Sequence, residues 1–176
     1  MSAQGAIATL ETRGLTRLYG QNAALDDVSL SFLPGEVHVL FGENGAGKST
    51  LISMIAGANR PTSGTILIEG REITPASVAE ARSLGVRAVF QEFSLIPAMT
   101  VAENITLGEE PAALFDTAGS LGILSKSAAR TEARRLIDDL GFDLNPDARI
   151  ETLTRGKQQM VEICKAMRLR PKLLIL

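Results

Sequence analysis

"GENGAGKST", Gly42 to Thr50, lies between the apolar run "VHVLF" at Val37 to Phe41 and "STLISMIAG" at Ser49 to Gly57, whose apolar residues recur at helical period. It fits G-x-x-x-x-G-K-[ST], with Gly42, Gly47, Lys48 and Ser49 at the fixed places. Average residue usage makes a chance match on the order of one in a hundred for a chain of this length. The pattern needs a strand before it and a helix after it, and both signals are present. Glycines let the backbone curl so that successive N–H groups converge on an anion, where a side chain would block the approach. The positive end of the following helix adds to the attraction. Lys48 is expected to reach the β- and γ-phosphates, and the Ser49 hydroxyl to bind Mg²⁺. The whole stretch (Gly42, Glu43, Asn44, Gly45, Ala46, Gly47, Lys48, Ser49 and Thr50) thus reads as a site for a nucleoside triphosphate.

Working outward, Ile7 to Tyr19 reads as one or two strands. "VSLSF" alternates, with Val28, Leu30 and Phe32 on one face of a half-buried strand. After the turn "PGE", Val37 to Phe41 is apolar throughout, which suits the middle of a sheet. "TILIEG" and Val86 to Gln91 are further strands, separated by a helix at 75–84 with Pro75 at its start and Gly85 at its end. Beyond these, "MTVAENITLG" and "SKSAARTEARRLIDDLG" are helical. In the second, Ala133, Leu136, Ile137 and Leu140 form one apolar face closed by Gly141, and its charges read as a solvated face. A helix over about 155–169 gathers Met160, Ile163, Cys164 and Met167, and "LLIL" at the end reads as a strand. The expectation is an α/β fold with a helical insert at about 93–165. There is no internal repeat or low-complexity tract.

Of the 176 residues, 45% are apolar and 22% charged, the balance of an ordinary globular protein. A net charge of −2 gives no electrostatic case for a general nucleic-acid binder. No apolar run approaches the roughly 18 residues of a membrane span, and "MSAQGAIATLETRG" does not read as a secretory signal. Cys164 is the only cysteine, so no internal disulfide forms, and the cytosol is the expected compartment. Cys164 reads as packing. His38, the only histidine, reads as a core residue of the strand before the loop and is given no role.

A phosphate loop alone does not choose among kinases, GTPases, helicases and transport ATPases. "LYGQNAALDDVSL", "PTSGTILIEGREI", "FQEFSLIPAMTVAENI" and "LTRGKQQMVEICKAM" together resemble the ATP-binding-cassette (ABC) ATPases, and within them the ATPase subunits of bacterial sugar importers. The likeness spans residues 7–176. It implies a P-loop core with an antiparallel β subdomain and a helical subdomain at 93–165. It also implies roles: Tyr19 stacks on adenine, Gln91 touches Mg²⁺ and the attacking water, and Thr154, Arg155, Gly156 and Lys157 form the signature that faces an ATP held by a second cassette. Arg155 stands where a small residue is usual and Lys157 where glutamine is usual. Thr154 retains the capping hydroxyl of the usual serine.

In the resembling family the strand matching "LLIL" is followed by an aspartate and a glutamate that serve Mg²⁺ and water. The chain is therefore expected to be the amino-terminal part of a longer ATPase, interrupted before that second acidic motif and binding ATP without hydrolysing it. The resemblance further implies a second cassette as dimer partner or tandem domain, transmembrane permease subunits, and indirectly an extracytoplasmic sugar-binding protein, with no nucleic acid. The place of work would be the cytoplasmic face of the inner membrane. A degenerate cassette with a regulatory role, and a non-transport ABC ATPase, stay open as alternatives.

Overall fold

A computed structural model describes residues 7–89, 94–107 and 126–176. The chain divides into two compact units, one made of residues up to Ala88 with Pro171–Ile175, the other of residues between Val89 and Arg170.

The first unit is built on an antiparallel sheet. Strand β1 (Leu10–Tyr19) pairs with β2 (Asn22–Phe32) on one side and β3 (Ser63–Ile68) on the other, and β4 (Arg71–Glu72) adds to β3. β1 and β2 form a hairpin closed at Tyr19–Asn22, with register shifts between Thr12 and Leu18. In that irregular stretch the buried Thr12 hydroxyl donates to the Val28 carbonyl at 3.1 Å and accepts from the Leu30 amide at 3.0 Å, holding the two strands together where the ladder breaks. Helix α1 (Lys48–Ile55) buries Leu51, Met54 and Ile55 among Leu10, Leu15, Leu25, Ile66 and Ile68. Helix α2 (Val78–Ser83) is capped by the Ser77 hydroxyl, which accepts from Glu80 N. It leads into β5 (Val86–Ala88), which pairs in parallel with β6 (Leu173–Ile175). A Lys172–Glu69 ion pair at 2.6 Å braces the same unit.

Two expectations are corrected here. Val37–Phe41 forms no strand: Val37, Val39 and Phe41 are 94%, 82% and 97% exposed. A strand apolar on both faces is stable only between flanking strands and under covering layers, and among the described residues β1–β4 and β5–β6 supply neither to this run. His38 accordingly lies on the surface rather than in a core. Its Nε2 is 2.9 Å from Glu36 Oε2, and its ring meets Phe32 edge-on at 4.9 Å.

The second unit is helical. Thr100 caps α3 (Val101–Thr106), and Glu103 returns its carboxylate to the Thr100 amide, a reciprocal capping box. Helix α4 (Lys126–Asp139) buries Ala129, Ala133, Leu136 and Ile137. A 3₁₀ turn (Ile150–Thr152) precedes α5 (Arg155–Met167). The anticipated apolar face of α4 packs as expected, with Leu140 against it. On α5 the face turns slightly: Val161 and Cys164 are fully buried, Ile163 only partly, and Glu162 goes inside as well. Its carboxylate accepts from the Ser94 amide and hydroxyl, so the buried charge is partnered. Asn104, with no exposure, accepts from Ile96 N at 2.7 Å and donates to the Ile96 and Thr100 carbonyls, fixing the segment before α3.

Candidate functional site

Residues 42–46 form an exposed turn that runs through the buried Gly47 straight into α1. Gly45 and Gly47 take φ of +88° and +83°, the left-handed region that side chains resist. Gly47 also sits tight against β2: a Cβ there would come within 2.6 Å of the Ala24 carbonyl oxygen and 2.9 Å of Leu25 Cδ1. This explains why the position needs glycine twice over. Gly47 is the N-cap of α1 but offers no side-chain bond, and the first turn carries no acidic residue. The helix therefore begins with its amino-terminal amides unneutralised and its positive end open to an anion.

Lys48 bends back over the loop. Its Nζ donates to the Gly42 and Glu43 carbonyls at 2.6 and 2.7 Å, and Ala46 N donates to the Glu43 carbonyl at 3.2 Å. The ammonium thus closes a ring of backbone between Gly42 and Lys48. Ser49, one residue into the helix, is exposed. A polyanion fits this donor set. Mg²⁺ fits only with phosphate oxygens supplied, because among the described residues no cluster of three or more His, Cys, Asp or Glu side chains exists to hold a metal.

The sheet brings a fourth component near. Tyr19 pairs with Asn22 and Leu18 with Ala23 at the hairpin end. Ala24, the next residue, is the one whose carbonyl abuts Gly47. Tyr19 is 49% exposed and belongs to the same unit as the loop. Gln91 lies outside the described residues.

In the second unit, Thr154 is the N-cap of α5, and its hydroxyl accepts from the Lys157 amide at 3.4 Å. Gly156 faces open space. Lys157 Nζ pairs with the fully exposed Asp143 carboxylate at 3.1 Å. The Gln158 amide, which sequence reasoning gave no part, donates to the Ile150 and Leu153 carbonyls and secures the approach to the helix. Burial in the core below pushes the Cys164 thiol up to about 11.

The profile of the ABC transporter family matches residues 25–176. Among curated proteins, the chain is 48% identical over 167 residues to the ribose import ATP-binding protein RbsA 1 of Rubrobacter xylanophilus, covering 95% of this chain and 32% of that protein. It is 39% identical over 165 residues to the arabinose import ATP-binding protein AraG of Yersinia pestis, covering 94% and 30%. The chain therefore spans about a third of the length of the curated relatives it matches. Among solved structures, a nucleotide-free ATP-binding cassette from an ABC transporter superposes with a TM-score of 0.79 at 28% identity, over 95% of this chain and 67% of that one. The ADP conformation of a cassette superposes with a TM-score of 0.78 at 29% identity, with the same coverage.

Proposed function

This chain belongs to the ABC transporter family, and from that premise we propose that it binds ATP with Mg²⁺ as the nucleotide-binding part of a bacterial sugar-import ATPase. The observation that carries the reading is the loop itself: an α1 amino terminus with no side-chain cap, entered through two left-handed glycines and roofed by the Lys48 ammonium. The 45-to-50 backbone amides would grip the β- and γ-phosphates, Lys48 would exchange its two carbonyl bonds for phosphate oxygens, and Ser49 would offer its hydroxyl to the metal. Bound Mg²⁺ supplies charge neutralisation between the phosphates. Tyr19 would stack on the base, and Gln91 would serve metal and water.

The sugar assignment rests on the printed functions of the relatives, ribose and arabinose import. Those relatives are about three times as long as this chain. Hydrolysis, cargo movement, pairing with a second cassette and with permease subunits, delivery by a sugar-binding protein and work at the cytoplasmic face of the membrane are therefore proposed for a protein of that length. Among the described residues no helix is long and apolar enough to cross a membrane, which accords with a peripheral subunit. For the 176 residues the proposal is binding, with negligible turnover, because the acidic pair that the resemblance assigns to metal and water is not among them. In the subunit pair, Thr154, Arg155, Gly156 and Lys157 would meet the other cassette's triphosphate, with Lys157 leaving Asp143. An exposed ion pair contributes little, so that exchange is inexpensive.

The test is uptake. A full-length protein bearing this sequence, expressed with its permease, should drive accumulation of labelled pentose, and Lys48→Ala should abolish it. Unchanged uptake by the Lys48→Ala protein would refute the assignment.

A further inference from the structure

Arg17 and Tyr19 are two residues apart on β1, next to a register shift between Arg17 and Leu18. The Arg17 guanidinium carbon lies 4.7 Å from the centre of the Tyr19 ring, in the range of a cation–π contact. One terminal nitrogen of that guanidinium donates to the Arg60 carbonyl at 2.7 Å. Its Nε is buried and has no hydrogen-bond partner among the described residues. The turn that carries Arg60 grips β1 twice more: the Leu18 amide donates to Thr62 Oγ1 at 3.0 Å, and the Thr62 amide to the Thr16 carbonyl at 2.8 Å. That turn joins the carboxyl end of α1 to β3. The helix that starts in the phosphate loop is thereby tied, through its far end, to the strand bearing the only tyrosine.

Burying a guanidinium Nε without a partner is unfavourable, and a surface arginine would ordinarily keep its donors in water. The placement makes sense if it serves the ring. A side chain at a hairpin end otherwise samples several rotamers, and ordering it on binding costs affinity. We propose that Arg17 is a positioning residue for the base of the nucleotide. It covers one face of Tyr19, fixes the plane of the ring, and leaves the opposite face for a purine, giving a guanidinium–phenol–purine stack. This rests on the nucleotide reading above.

Tyr19 is the only tyrosine, and there is no tryptophan, so phenol emission from the protein reports on this ring alone. Magnesium ATP and magnesium tripolyphosphate, which has no base, are titrated into the wild type, Arg17→Ala and Arg17→Lys, with emission and binding heat read together. The wild type should bind ATP more tightly than tripolyphosphate and change its emission only with ATP. Arg17→Ala should lose about three- to fivefold in ATP affinity, keep its tripolyphosphate affinity, and so narrow the preference, and Arg17→Lys should recover part of it. Arg17→Ala binding both ligands as the wild type does, or losing both equally, overturns the role of Arg17 and leaves the nucleotide reading standing. A folded wild type that binds neither ligand overturns that reading itself.

Discussion

Replacing Gly47 with alanine separates two physical costs that the phosphate loop concentrates in one residue. Gly45 and Gly47 share almost the same left-handed conformation, with φ of +88° and +83°. An alanine forced into it loses about 1–2 kcal/mol at either place. Around Gly45 a new Cβ meets nothing within 4 Å. At Gly47 it would stand 2.6 Å from a backbone oxygen and 2.9 Å from Leu25 Cδ1, so β2 and α1 must separate. Overpacking of that kind costs about 1–3 kcal/mol more. Gly45→Ala should thus destabilise by about 1–2 kcal/mol and Gly47→Ala by about 2–5 kcal/mol. Urea unfolding followed by circular dichroism measures the difference directly. Equal losses for the two variants would refute the reasoning, because the extra cost lies in the contacts with Ala24 and Leu25 of β2.

Three other predictions concern the helical unit. The Thr100 amide, with help from its hydroxyl and Lys126, holds the Glu103 carboxyl below its usual range. Its contribution is therefore present above the unfolded-state value of about 4.3 and fades as pH falls through the lowered folded value. The melting-temperature gap between wild type and Glu103→Gln should shrink on acidification through that window, and a constant gap would contradict it. The Cys164 thiol, raised to about 11 by burial, should resist thiol reagents at neutral pH until the unit opens. Labelling at the rate of a free thiol would show the packing to be wrong. In a protein of the relatives' length, Lys157→Gln should leave the melting temperature unmoved, since in the fold it breaks only the exposed Asp143 pair, and should alter ATPase activity by less than severalfold, since glutamine is the residue usual at that place of the signature. A manyfold rise would show the natural signature to be impaired.

What could be read in advance follows from where each signal resides. The phosphate loop is a local pattern whose residue types answer to local backbone geometry, so its turn and α1 appear where the spacing puts them. The face of α4 is equally local, because Ala133, Leu136 and Ile137 recur at the helical period. β2 extends ten residues back along β1 from Phe32, through "NAALDD", whose composition reads as loop. Pairing with β1, not propensity, makes it strand. Val37–Phe41 errs the other way: its apolarity states a demand for cover that the described neighbours do not meet. Glu162 was invisible because its partner, Ser94, is 68 residues away. Arg17 carries no signal of its own in the sequence, because its place over Tyr19 is set by the fold.

The most direct test of the account is titration calorimetry of magnesium ATP into the wild-type protein and Lys48→Ala. The account predicts saturable heat for the wild type and affinity lowered about tenfold or more without the ammonium. Equal binding by the two proteins, or no heat from a folded wild type, would contradict it.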